Sequence, residues 1–336
     1  MIRVGIIGAG AFAYKHANAI KQNSTTILVA ASRRNKVELD KFTTEFKIKG
    51  YTDYKVLLAD KLINAVLIAT PHHLHHQITA DAAKAGKHIL LEKPMGHNLI
   101  ACDQILESTK NSNISLMIAH IIRFIPAFRK AKQLLDDGVI GDLVYAQAHI
   151  ARKWDTPNRR PWHFEQGQGG GMLMTVGIHY VDILTWIIDD NVKSVKASVS
   201  NPFLEKGTDD AALLFLTYKN GKNALLTCSG FSSGGPIFEI IITGTKGLIK
   251  ADIYKGVWLG QNDTWQLVEE PEQGDPEEKA LIFEWRDFAE KILHNKPPSI
   301  SGEYGRHMVE IIDATHKSSQ SSQEILIDKS IKKSFM

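Results

Sequence analysis

Cysteine is scarce in this chain of 336 residues: there are two, Cys102 and Cys228, far apart and without a metal-binding spacing. That excludes a disulfide framework and a cysteine zinc site, and both thiols are expected to be free, small buried hydrophobes. An excess of one charge is also missing. Lys plus Arg total 40 against 37 Asp plus Glu, a net charge of +3, and the basic residues are interspersed with acidic ones. Without a basic stripe, nucleic acid is not an expected partner. No apolar run approaches bilayer-spanning length, and Met1-Ile2-Arg3 opens directly into a strand with no signal-peptide pattern. A cytoplasmic protein with no membrane partner is therefore expected.

What is present is an ordinary globular composition, 43% hydrophobic and 23% charged. The length exceeds one core and reads as two domains, residues 1–121 and 122–336. The apolar run Val4 to Ile7 leads into Gly8-Ala9-Gly10-Ala11-Phe12-Ala13 and then a helical pattern through Ile20. Strand, G-x-G-x-x-A and helix in this order form a dinucleotide fingerprint. Gly8 and Gly10 let a pyrophosphate approach, and Ala11, Phe12 and Ala13 open the helix beneath it. The second strand, about Ile27 to Ala31, ends in Ser32-Arg33-Arg34, where a NAD-binding chain usually carries an acid for the ribose 2′-hydroxyl. A hydroxyl and two guanidiniums suit a 2′-phosphate, so NADP is the expected cofactor. The competing reading, solvated arginines and loose selectivity, leaves NAD open.

Strand Ala65 to Ala69 is followed by Thr70-Pro71-His72-His73-Leu74-His75-His76. His72 and His76 sit at helical spacing, but no carboxylate or cysteine completes a metal set, so no metal is expected. Thr70, Pro71, His72 and His75 are instead expected at a helix start on the cofactor's edge. The buried run His88 to Leu91 ends in Glu92-Lys93-Pro94. This places a cation at a strand's carboxyl end, where open α/β sheets bind ligands, beside an X-Pro bond that tolerates the cis form. A solvated strand-end lysine is the plainer alternative. Helix Leu99 to Thr109 and strand Ile114 to Ala119 complete about six parallel strands.

Beyond Arg123-Phe124-Ile125-Pro126 the pattern changes to successive strands: Leu143 to Ile150, Val192 to Val199, Ala211 to Tyr218, Asn223 to Ser229, Phe238 to Thr243 and Leu248 to Ala251. The fold class expected is thus an α/β Rossmann doubly wound parallel sheet plus an α+β domain with a large, mainly antiparallel open sheet. Its open face implies a homodimer or homotetramer. Gly169-Gly170-Gly171 precedes a helical stretch, Met172 to Ile188, on which Thr175, His179 and Asp182 are spaced to share one face. Asp182 then orients His179 or faces solvent. Upstream, Arg152 and Trp162 belong to a loop with arginines and two tryptophans, suited to an anionic or polyol ring or else to oligomer contacts. Residues Pro271 to Glu278 read as an exposed loop, and helices with apolar stripes follow from Glu277 to His294 and from Glu303 to Ser318.

Gly8-x-Gly10-x-x-Ala13, Ala85-Gly86-Lys87-His88, Glu92-Lys93-Pro94, Arg123-Phe124-x-Pro126, Gly169-Gly170-Gly171, Gly177-x-His179-x-x-Asp182 and Ser301-Gly302-Glu303-x-Gly305-Arg306 occur in this order. Over nearly its whole length the chain resembles the glucose-fructose oxidoreductase, inositol dehydrogenase and MocA family (Gfo/Idh/MocA). The resemblance implies sugar or polyol substrates in a cleft between a Rossmann domain and an antiparallel one. It implies that Lys93 contacts the reacting hydroxyl, with Glu92 and Pro94 beside the cofactor, that His179 is the acid/base, and that Arg123 joins the substrate set. The activity expected is hydride transfer between NADP and a secondary hydroxyl or keto group of a sugar, sugar acid or polyol. A cofactor-recycling sugar lyase, epimerase or glycosidase, or a non-catalytic dinucleotide-dependent sensor, would carry the same motifs.

Two positions depart from the family pattern. Thr175 stands where many members have Asp, and His72 where Thr-Pro-Asn is usual. Thr175 can hold a substrate hydroxyl or a water but cannot carry a proton at neutral pH. Restoring the carboxylate would favour protonated neighbours. In Thr175→Asp the pKa of His179, followed by NMR titration, is expected to rise; an unchanged value would refute this.

Overall fold

The computed structural model describes residues 1–231 and 233–327, and the chain divides into two compact units. One comprises Met1–Ile121 with Leu281–Arg306, and the other Ile122–Ala280 with the described residues from 307 onward.

In the first unit, strands Ile2–Ile7 (β1), Thr26–Ser32 (β2), Lys49–Tyr51 (β3), Ala65–Ile68 (β4), His88–Glu92 (β5) and Leu116–Ala119 (β6) form a wholly parallel sheet ordered β3-β2-β1-β4-β5-β6. Every residue of β4 and β6 is buried. A parallel sheet covered on both faces requires this, and it explains why these strands read as unbroken apolar runs. Helices Ala11–Lys21 (α1), Lys36–Phe46 (α2), Tyr54–Ala59 (α3), His75–Lys84 (α4) and Leu99–Thr109 (α5) connect the strands. Asn35, Asp53 and Asn98 cap α2, α3 and α5 through their side chains.

The second unit begins with helix Pro126–Asp136 (α6) and strand Leu143–Ala151 (β7). A π-helical turn, Leu173–Gly177, runs into helix Ile178–Ile188 (α7). Strands Val192–Ser200 (β8), Ala211–Tyr218 (β9), Asn223–Ser229 (β10), Ile237–Gly244 (β11), Gly247–Asp252 (β12), Gly256–Gln261 (β13) and Thr264–Glu269 (β14) follow. With Ile325–Leu326 (β15) they form a sheet ordered β14-β13-β12-β11-β7-β10-β9-β8-β15. Its pairs are antiparallel except β7 with β10. One face is buried, with α6 on β12 and α7 on β7 and β10. The other shows Leu213, Phe215 and Leu225 at 58%, 42% and 43% exposure. Helices Pro276–Leu293 (α8) and Gly302–Ser321 (α9) complete the described chain.

Four details differ from the sequence reading. The β13–β14 hairpin went unpredicted; its Asn262-Asp263 turn has both φ positive, at 51° and 60°, as a tight hairpin turn demands. Helix α8 starts at Pro276, one residue ahead of the expected Glu277 and within the end of the stretch read as loop, and Asp275 accepts from Glu277 N at 2.9 Å, closing its first turn. The segment Gln166–Ile188 does have the length and hydropathy (1.5) of a membrane span, yet 89% of its apolar window is buried inside the protein. In the π turn the Ile178 amide donates to the carbonyl of Leu173, five residues back instead of four, so spacing across Thr175 to His179 departs from ideal α geometry.

Both thiols are free and buried. Burial pushes Cys102 up to about 12 and raises Cys228 as well. Neither forms thiolate at pH 8, so a colorimetric thiol reagent is expected to modify no cysteine in the native protein and both after denaturation.

Candidate functional site

In the first unit the strand order reverses between β1 and β4, which opens a crevice at the carboxyl ends of the strands. Every candidate segment of this unit leaves the sheet there. Gly8 has φ +99°, and a Cβ on it would stand 2.5 Å from the Ala69 carbonyl oxygen, so only glycine fits. Gly8 and Ala9 donate to the Ser32 carbonyl at 3.0 and 3.2 Å, tying the glycine turn to the end of β2. Helix α1 starts at Gly10 with no side-chain cap and no acidic residue in its first turn. Its dipole thus favours an anion beside Ala11 and Phe12, while the Ala13 amide already donates to the Gly10 carbonyl at 3.1 Å. Across the crevice, Thr70 Oγ1 is buried with no hydrogen-bond partner among the described residues. A bare glycine-lined helix start and an unsatisfied hydroxyl fit the diphosphate of a dinucleotide.

Ser32 is buried. Arg33 folds over the glycine turn, with Nη1 donating to the Ala9 carbonyl at 2.7 Å and lying 3.8 Å from a Glu38 carboxylate oxygen. Arg34 is exposed. The histidine cluster separates by depth. His72 is buried, its ring edge-on to His75. His75 is wholly buried, with Nδ1 3.0 Å from the Pro94 carbonyl and Nε2 2.9 Å from the Thr70 carbonyl. Burial depresses its pKa against the pull of both carbonyls; a neutral ring has one N–H and donates to one of the two, its other nitrogen lying against the second. Both ring nitrogens thus face backbone of the two turns that border the crevice. The Lys93–Pro94 bond is cis, Lys93 is half-buried, and Glu92 is buried with Oε1 2.8 Å from His16 Nε2.

The second unit carries Arg123, Arg152, Trp162, Thr175 and His179. Asp182 neither faces solvent nor is left to orient His179 alone. It is fully buried, and Oδ1 accepts from Arg123 Nε at 2.8 Å and lies 2.7 Å from Nη2. Arg123, itself 6% exposed, is thus committed to holding α7, and its guanidinium also lies over the Trp186 ring. From Gly171 to Tyr180 every residue is buried except His179, which alone reaches toward the surface.

The glycines before this helix have physical causes. A Cβ on Gly170 would stand 2.6 Å from the His163 carbonyl oxygen, and one on Gly171 (φ +102°) 2.3 Å from Asp209 Oδ1. Asp209, which sequence reading missed, caps the segment. Its carboxylate accepts from Leu173 N at 2.6 Å and its carbonyl from Met172 N at 2.9 Å. Burial pushes its carboxyl pKa up, against the pull of the Leu173 amide and His316.

In the upstream loop Trp162 stacks on His163 with centroids 3.7 Å apart. The second tryptophan, Trp154, is fully buried beneath the Arg159 guanidinium at 3.8 Å and is not a ligand platform. Burial, with Arg152 adding repulsion, lowers Arg159 to about 10. Arg152 itself lies 6.0 Å over the Phe238 ring. No three metal-ligating side chains gather among the described residues.

A doubly wound nucleotide-binding unit with a cation at a strand end, followed by a unit with a half-buried histidine on a capped helix, defines a nicotinamide-dependent oxidoreductase. Residues 2–120 match the oxidoreductase family with NAD-binding Rossmann fold, and residues 128–250 match the GFO/IDH/MocA C-terminal domain. The chain belongs to the GFO/IDH/MocA family. It is 32% identical to trans-1,2-dihydrobenzene-1,2-diol dehydrogenase of Mus musculus over 74% of this chain and 73% of that one. It is 27% identical to myo-inositol 2-dehydrogenase of Thermotoga maritima over 98% of this chain and all of that one. Levoglucosan dehydrogenase solved with NADH and levoglucosan superposes with TM-score 0.89 at 24% identity, covering 98% of this chain and all of that one.

Breaking a buried pair strands a charge. Asp182→Leu is expected to lower unfolding free energy by about 3–5 kcal/mol in denaturant titration. The double variant Arg123→Met/Asp182→Leu should recover most of that loss.

Proposed function

We propose that the chain transfers hydride between NADP(H) and a secondary hydroxyl or keto carbon of a sugar, sugar acid or polyol. Residues 1–121 are assigned to dinucleotide binding and 122–336 to substrate binding and oligomerisation. The observation that carries this reading is the pairing of roles: Lys93 leaves the carboxyl end of β5 at the cis-proline turn, and His179 alone among residues 171–180 is not buried. The bound nicotinamide supplies the hydride acceptor or donor. In oxidation, His179 takes the hydroxyl proton while the Lys93 ammonium stabilises the alkoxide; in reduction, Lys93 stabilises the same alkoxide as hydride arrives and His179 returns the proton.

Thr175, buried on the same segment, is assigned to a substrate hydroxyl. Arg152 and Arg159 lie close enough to repel each other on the loop that also carries Trp162, which supports an acidic substituent on the substrate. The exposed Arg34, with Ser32 and Arg33 at the end of β2 and no carboxylate directly after that strand, supports NADP. The relatives named for inositol and levoglucosan support a polyol or sugar. The apolar open face around Leu213, Phe215 and Leu225 supports a homodimer or homotetramer, and a cytoplasmic location belongs to the same proposal.

The test is absorbance of reduced nicotinamide with NADP and NAD across neutral sugars, sugar acids and inositols. His179→Ala is expected to lower kcat about 10²–10⁴-fold on the accepted substrate. Near-normal turnover by His179→Ala or by Lys93→Met would overturn the corresponding role.

A further inference from the structure

Lys93 follows a buried glutamate, and the groups that hold that glutamate form a chain of three. His16, in the second turn of α1, is wholly buried; so is Trp285 of α8, and the Glu92 side chain is 9% exposed. Trp285 Nε1 lies 3.0 Å from His16 Nδ1, and His16 Nε2 lies 2.8 Å from Glu92 Oε1. An indole N–H can only donate, so His16 Nδ1 must accept and be unprotonated. The ring's one proton is thereby placed on Nε2, where it donates to the carboxylate. Were His16 doubly protonated, Nδ1–H would point at the indole N–H, so the tryptophan locks one tautomer as well as filling space.

We propose that His16, locked by Trp285, is a positioning residue for Lys93. The inference rests on the role proposed above for Lys93. Glu92 is the last residue of β5, and the next peptide carries Lys93 into the cis-proline turn. On the far side of that turn His75 holds the Pro94 carbonyl. The two residues flanking Lys93 are therefore each fixed by a buried imidazole, and the lysine side chain issues from a backbone with little freedom. Without His16 a carboxylate with almost no access to water would lose its donor, and the strand end would have to move to hydrate it. The chain also reaches the glycine turn: Phe12 packs edge-on against His16 with centroids 5.0 Å apart, and both belong to the helix that starts at Gly10. One imidazole thus references the lysine to the helix that receives the dinucleotide. A displacement of about 1 Å at a catalytic group costs on the order of 10²-fold in rate.

The first measurement is the ¹⁵N spectrum of the histidines in the wild-type protein, with His16 assigned by its loss in His16→Gln. The expected result is a single Nε2–H tautomer, giving way to a mixture of tautomers in Trp285→Phe. A proton on Nδ1, or on both nitrogens, in the wild type would overturn the lock. Kinetics of folded His16→Leu should show kcat lowered about 10²-fold, with the dissociation constant for dinucleotide and the KM for substrate little changed. His16→Gln, which keeps a donor toward Glu92, should recover part of that loss. Wild-type kcat in both folded Trp285→Phe and His16→Leu would refute the positioning role. Lys93→Met is measured alongside: normal turnover there removes the role of Lys93 itself, while the His16 spectrum still decides the tautomer lock.

Discussion

A carboxylate taken out of water has to be met by donors, and three that are buried here each anchor a segment of the candidate site. Glu92 is met by His16 and holds the end of β5. Asp182 is met by Arg123 and holds the middle of α7. Asp209 is met by the Leu173 amide and holds the first turn of the segment that carries Thr175 and His179. The expense of burying these charges is offset only while their partners stay in register. The candidate site side chains of each unit are therefore attached to backbone whose displacement would expose or orphan a charge, and that is a stiffer mounting than apolar packing alone provides.

Close backbone approach is the second constraint. Gly8 lies against Ala69, Gly170 against the His163 carbonyl and Gly171 against Asp209, each at a distance no Cβ tolerates. In the first unit this brings the turn after β1 onto the turn after β4, at the point where strand order reverses. In the second it brings the upstream arginine and tryptophan loop onto the start of the histidine-bearing segment. Glycine thus stands where two pieces of main chain must touch, and the side chains with chemistry flank those contacts.

Much of this was legible from local pattern. Unbroken apolar runs marked β4 and β5 because both faces of a parallel sheet are covered, and α5 matched its periodicity from Leu99 to Thr109. Alternation marked β9 and β10 because one face of their sheet is open. Less legible was β14, whose residues are almost all exposed and so alternate little, and the π turn, which shifts the helical phase without a residue signature. Among the polar residues, the pairing of Arg123 with Asp182 had no local signal, because the two lie 59 positions apart. His16, Asp209 and Trp285 had no local signal at all.

The sequence by itself determined most of the order of elements, the glycine turn after β1, the free thiols and the family, since each depends on neighbours within a few residues or on motif order along the chain. The tertiary structure alone decided which polar groups are spent on one another. Arg123 went to Asp182, His75 to two carbonyls and His16 to Glu92, while Arg34 and His179 kept access to solvent. The physical reason is that burial and partner choice are properties of residues distant in the chain and brought together by packing, and for ionisable side chains those two quantities set the chemistry.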